Sequence, residues 1–260
     1  MIIALLTDFG TSDYFVAAMK GTILSVNPQA KIVDLTHDIP PQNLQSASFT
    51  LQACYRDFPP QTIFVVVVDP EVGSSRRAIL VETDKYFFLA PDNGLLNFIF
   101  DVFETEKVFR VFEITETKYF NQNISRTFHG RDIFAPVAAH LSKNIEANKF
   151  GREITNFVHL SIKKPRKISL NKTEAEIIHA DNFGNLITNL TKNDVPERFV
   201  IEINKSLIEK QLEFFAQAVE GELFTILGSA GFLEIAAYKN SAQKILNVEP
   251  GERVFVTKVK

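Results

Sequence analysis

Apolar positions along this chain follow two kinds of pattern, and the order in which they alternate sets the expected fold. Residues 2–6 are an unbroken apolar run, the mark of a strand covered on both faces, and they give way to Thr7-Asp8-Phe9-Gly10-Thr11-Ser12-Asp13. Val16, Met19, Ile23 and Val26 then recur at helical spacing until Asn27-Pro28 stops the run. Residues 32–35 predict a second strand and residues 44–54 a second helix, capped by Asn43. Residues 63–68 are β-branched or aromatic throughout and predict a strand buried on both faces. A hairpin is expected from residues 78–82 and 87–90, and helices from residues 95–103 and 133–141. This alternation specifies a layered α/β domain.

The texture changes in residues 161–167, where Lys163-Lys164-Pro165-Arg166-Lys167 reads as a solvated linker. Beyond it come short β-like runs at residues 175–179, 186–189, 199–203, 223–227, 232–236 and 254–259, with one helical stretch expected near residues 208–219. Two domains follow: an α/β domain over residues 1–165 and a smaller, mostly β domain over residues 166–260.

Composition narrows the class. Apolar residues make up 45% of the 260 and charged residues 23%, as in a folded soluble protein. A net charge of −3 offers no electrostatic ground for a nucleic-acid partner. The apolar start is too short for a membrane span, and a single cysteine, Cys54, rules out a disulfide framework. The expectation is a cytoplasmic protein without a membrane partner.

Four polar clusters sit at expected strand ends, where open α/β sheets bind ligands. In the first, Asp8 and Asp13 flank a glycine turn; they could bind ribose hydroxyls or a metal, or Asp13 could simply cap the next helix. In the second, Asp69 leads through Pro70-Glu71-Val72-Gly73-Ser74-Ser75 to Arg76 and Arg77. This is either an ion pair that holds a loop or a carboxylate poised over a water. The third is Phe128-His129-Gly130-Arg131-Asp132, where His129 is either a helix-start residue or part of a site. The fourth combines Asp181-Asn182-Phe183-Gly184-Asn185 with Gly228-Ser229-Ala230-Gly231-Phe232-Leu233-Glu234, strings that also read as plain turns. Pro91-Asp92-Asn93-Gly94 reads as a turn after a strand, and no dinucleotide or phosphate-loop signature is present.

Together these strings, in this order and nearly end to end, resemble the S-adenosylmethionine (SAM) hydroxide adenosyltransferases. These are adenosine-forming SAM hydrolases, related to the SAM-dependent fluorinase and chlorinase. The resemblance implies an N-terminal α/β domain followed by a C-terminal β-barrel, in a homotrimer where one subunit's barrel closes its neighbour's site. It implies a water-handling trio at Asp69, Arg76 and His129. Ribose contacts fall on Asp8, Asp13 and Asn185, with Asp181 in the same cluster; Phe183 falls on an adenine-stacking position, and Ser229 and Glu234 on the methionine end. SAM is then the substrate, with neither cofactor nor metal required. Halogenase relatives carry Tyr at the Asp69 position, which favours the hydrolase branch. Glu71 stands where the family more often has Gly, and Gln42 where the fluorinase has Trp. The alternatives are a halogenase, a non-catalytic adenosine or SAM sensor, and a metallohydrolase.

Overall fold

The computed structural model describes residues 1–104, 109–159 and 164–259. The chain divides into two compact units, Met1–Leu160 and Ser161–Lys260.

The first unit is a layered α/β structure. Its elements run β1 (Ile2–Thr7), α1 (Phe15–Val26), β2 (Lys31–Thr36), α2 (Leu44–Cys54), β3 (Thr62–Val67), β4 (Ala78–Thr83), β5 (Tyr86–Pro91), α3 (Asn97–Glu104), β6 (Phe109–Glu113), α4 (Ala135–Leu141) and β7 (Glu153–Ile154). Among the described residues they form a sheet of order β2-β1-β3-β5-β4-β6-β7. β2, β1, β3 and β5 are parallel, while β4, β6 and β7 add antiparallel partners. Every residue of β3 is buried, as its unbroken apolar sequence requires, whereas the edge strand β2 is largely accessible. Met19 and Ile23 of α1 and Val137 and Ala138 of α4 pack on one face of the sheet; Ala47 and Leu51 of α2 and Ile99 of α3 pack on the other.

The order has a consequence for binding. β1 connects outward to β2 on one side, and the chain then returns across to β3 on the other. The carboxyl ends of β1 and β3 therefore flank the point where the winding reverses, and the helices leave to opposite faces, which opens a crevice there.

The second unit continues with β8 (Arg166–Lys167), β9 (Lys172–Ala180), β10 (Leu186–Thr191), β11 (Phe199–Ile203), β12 (Ser206–Ile208), β13 (Leu223–Leu227), β14 (Phe232–Ala237), α5 (Ala242–Leu246) and β15 (Arg253–Lys258). Its sheet runs β12-β11-β15-β9-β10-β14-β13, with β8 beside β9. The open ends approach each other just past β12. The Leu212 amide donates to the Thr225 carbonyl at 2.9 Å and the Thr225 amide to the Lys210 carbonyl at 2.8 Å, nearly closing a barrel. Ile177, Leu186, Ile201, Ile235 and Val254 fill its core.

Two expectations need correction. Residues 208–219 form no α-helix; they hold the end of β12, the barrel-closing segment and one 3-10 turn, Phe215–Gln217. Phe214, Phe215 and Val219 are 55%, 41% and 68% exposed, so the apolar spacing there makes no buried face. In the expected linker, Arg166 and Lys167 instead pair with Glu174 and Thr173 of β9, and Arg166 bonds the Glu174 carboxylate; residues 161–163 lie outside the described residues. The described helices are too short and polar to cross a membrane.

Candidate active site

Asp69 follows β3 just past its carboxyl end, which places it at the reversal point of the sheet. The turn after it brings Arg76 back: Arg76 Nε donates to Asp69 Oδ1 at 3.0 Å and Nη2 to Oδ2. Both side chains are only 4% exposed, so the fork-to-carboxylate pairing is shielded from water. The Arg76 guanidinium also lies over the Phe134 ring, 5.7 Å from its centre. Gly73 makes this turn possible. Its φ is +81°, and a Cβ there would overlap the Arg126 carbonyl oxygen, on the segment that leads to His129. Glu71 is accommodated because it is exposed and its φ is not positive.

Arg76 Nη2 also stands 2.7 Å from His129 Nδ1. Arginine can only donate, so Nδ1 is the acceptor, and the proton of the neutral ring sits on Nε2. Burial lowers the His129 pKa from its ordinary 6.5, and the Arg76 charge lowers it further, while Asp69 and Asp132 act in the opposite sense. His129 is thus kept neutral, with Nε2–H free to donate. It is held in place by the π-helical turn Gly130–Phe134 that opens α4. Buried Asp132 ties that turn to the preceding loop, accepting from the Ser125 amide at 2.8 Å and from Asn121 Nδ2 at 3.1 Å.

Across the crevice, Asp8 follows β1. Its Oδ2 accepts from the Gln42 amide at 2.8 Å. Asp13 is exposed and does not cap α1, whose N-cap is Tyr14 without a side-chain bond, so the capping alternative fails. Phe9, Tyr14, Phe15 and Phe128 form an aromatic cluster beside it; Phe15 and Phe128 meet edge to face at 5.2 Å.

In the second unit, Asp181 organises its turn. Its Oδ1 accepts from the Phe183 amide at 2.9 Å and the Asn185 amide at 2.8 Å, and its Oδ2 from Asn185 Nδ2 at 2.8 Å. Phe183 is thereby projected outward, 77% exposed. Ser229 sits exposed in the β13–β14 turn. Glu234 on β14 is half-buried; burial raises its pKa from 4.5, and the nearby Asp181 charge adds to this. A Cβ on Gly228 would overlap the Glu234 carboxylate, so the glycine leaves the room that side chain occupies.

The second basic residue, Arg77, belongs to a different construction. It pairs with buried Asp92 at 2.6 Å, while the other Asp92 oxygen accepts from the Val158 amide. The turn around Asp92 is therefore structural. Among the described residues, no group of three or more His, Cys, Asp or Glu side chains is arranged to hold a metal ion. The sequence gives no sign of the parts played by His37, by the Gln42 amide or by the Asp132 carboxylate, since each acts through a partner that only the strand register or the helix turn brings near.

The chain is similar to known proteins over nearly its whole length. Residues 3–151 match the N-terminal domain and residues 175–255 the C-terminal domain of the SAM hydroxide adenosyltransferases. An (R)-S-adenosyl-L-methionine hydrolase from Methanocaldococcus jannaschii is 37% identical over 95% of this chain and 92% of its own. A fluorinase from an Actinoplanes species is 27% identical over 99% and 97%. The crystal structure of a conserved protein from Thermotoga maritima matches with a TM-score of 0.90 at 36% identity, over 99% of this chain and all of its own.

Proposed function

The chain belongs to the SAM hydroxide adenosyltransferase family, and from that premise we propose that it hydrolyses S-adenosyl-L-methionine by water attack on the ribose 5′-carbon, giving adenosine and L-methionine. The observation that carries the reading is the Asp69–Arg76–His129 network at the sheet's reversal point, with its Asp69–Arg76 ion pair buried.

The chemistry asks little of the protein. The sulfonium makes methionine a neutral thioether leaving group, so no general acid is required. What is needed is one water held in line with the C–S bond. In this reading Asp69 accepts a hydrogen bond from that water: Arg76 takes one lone pair of each carboxylate oxygen, and the second pairs remain. His129 Nε2–H donates to the same water, fixing its orientation. With Nδ1 engaged by Arg76 and Nε2 already protonated, His129 orients the water, and the proton passes to Asp69. Arg76 fixes both partners.

Asp8 and Asp13 serve the ribose in this reading, together with Asn185 in the turn that Asp181 holds. Exposed Phe183 stacks on adenine; Ser229 and Glu234 receive the methionine end, Glu234 its ammonium. The family resemblance supports a homotrimer in which the barrel residues complete a neighbouring subunit's site, acting in the cytoplasm without cofactor or metal. Incubating the purified protein with SAM and separating the products tests the whole reading. Adenosine and methionine in equal amounts are expected. Intact, saturably bound SAM would mean a sensor, and a 5′-halo product with chloride or fluoride a halogenase.

A further inference from the structure

We propose that His37 is a positioning residue for the substrate turn after β1, an inference that rests on the SAM-hydrolase reading and extends it to a residue buried behind the site. β1 and β2 run parallel, with Leu6 opposite Thr36 after a register shift, so the next residues, Thr7 and His37, emerge side by side at the sheet edge. Thr7 is fully buried and His37 only 4% exposed. Thr7 Oγ1 lies 2.8 Å from His37 Nδ1 and also accepts the Phe9 amide at 3.3 Å. The Asp34 carboxylate beside Nε2 favours the ring proton there, which leaves Nδ1 to accept from the Thr7 hydroxyl. Nε2 faces Asp34 Oδ1 at 3.1 Å, and Lys20 bonds the other Asp34 oxygen at 2.6 Å. Donor and acceptor roles agree from the Phe9 amide through Thr7 Oγ1 to His37 Nδ1, and the Asp34–Lys20 pair sets the charge beside Nε2.

The same segment grips the turn at two further points. The His37 carbonyl accepts the Gly10 amide at 2.8 Å, and the Gln42 amide, from a residue with φ of 63°, donates to Asp8 Oδ2 at 2.8 Å. Residues 37–42 thus hold Thr7, Asp8 and Gly10, bracketing the proposed ribose carboxylate. His37 sets where Asp8 stands through Thr7, without itself touching a ligand.

The test is steady-state kinetics with SAM, alongside calorimetric binding of adenosine. His37→Ala is expected to raise KM about tenfold while kcat stays within about twofold, because a support for binding is lost and the chemistry is not. His37→Asn keeps a polar atom at the Nδ1 position and restores KM; His37→Gln, which mimics Nε2, does not. Thr7→Val raises KM at least as far, because it also removes the acceptor of the Phe9 amide, and adding His37→Ala to it raises KM no further, since their shared hydrogen bond is already gone. A native KM in His37→Ala, or equal rescue by Asn and Gln, would overturn the proposal. Should the alanine variant fail to fold, the Asn and Gln pair decides. Wild-type protein that binds adenosine without cleaving SAM would sink the hydrolase reading instead, and the adenosine affinities of the variants would still decide the role of His37.

Discussion

Arg76 and Arg77 are adjacent in sequence yet serve separate ion pairs, Arg76 with Asp69 and Arg77 with Asp92. Their backbone continues into β4, where successive side chains point to opposite faces of the sheet. One arginine is thus delivered to the crevice and the other to the segment around residues 156–158, where Arg77 also bonds Asn156.

The separation predicts two different failures. Arg77→Ala leaves the Asp92 carboxylate, 2% exposed, without its counter-charge and should cost about 2–3 kcal/mol, less than a fully buried pair because Arg77 is itself 24% exposed. Its kcat should stay near the native value. Asp69→Asn should instead lower kcat by about 10²–10⁴-fold, the range for loss of a general base, while adenosine still binds. Urea denaturation and kcat measured on both variants check this; an Arg77→Ala enzyme as inactive as Asp69→Asn would erase the distinction.

In the proposed reaction His129 should set the acid limb of activity. Protonation would put two cations in contact at 2.7 Å, and its pKa lies below the ordinary 6.5 through burial and the Arg76 charge. The kcat profile should therefore fall only at pH below 6.5. As pH drops, the unfolded chain takes up this proton first, so stability falls through the window under 6.5 and levels off below the folded pKa. In His129→Asn an amide oxygen can accept from Arg76, and the acid limb should flatten. Profiles from about pH 5 to 8 decide; a limb centred above 6.5 in the native enzyme would contradict the assignment.

Glu234 should govern how substrate affinity depends on pH. Burial and Asp181 raise its pKa above 4.5, so in the free protein its contribution to stability is lost as pH rises through the folded pKa. A substrate ammonium favours the ionised form, so KM for SAM should climb as pH falls toward that raised pKa. Glu234→Gln should raise KM and remove the pH dependence, and Gly228→Ala, which crowds the carboxylate, should resemble it. A Glu234→Gln KM that still varies with pH in the native manner would point to another group.

Strand ends could be read in the sequence because buried apolar runs stop at polar turns, and that locates Asp8 and Asp69 without any structure. Two readings of Asp69 remained open from the residues alone, and the structure supplies the difference: Arg76 binds the carboxylate and His129 together. His129 is distant in sequence, so no local periodicity links it to Arg76. Residues 208–219 misled because apolar spacing is the same whether the residues line a core or, like Phe214 and Val219, lie exposed. His37 left no signal, since its partner is fixed by the register between β1 and β2.

The bond that breaks can be followed by isotope. The sulfonium activates each of its three carbon neighbours, but only attack on the ribose carbon gives adenosine together with intact methionine. If water held by Asp69 and His129 is the nucleophile, the new C–O bond forms at the 5′-carbon and the C–S electron pair leaves with sulfur. The oxygen of the 5′-hydroxyl then comes from solvent. Reaction in ¹⁸O-water should place one label in adenosine and none in methionine, read by mass spectrometry of both products. This outcome holds whichever group takes the proton, so it tests the reaction apart from the residue roles. Unlabelled adenosine, or free adenine in its place, would mean that another bond is cut.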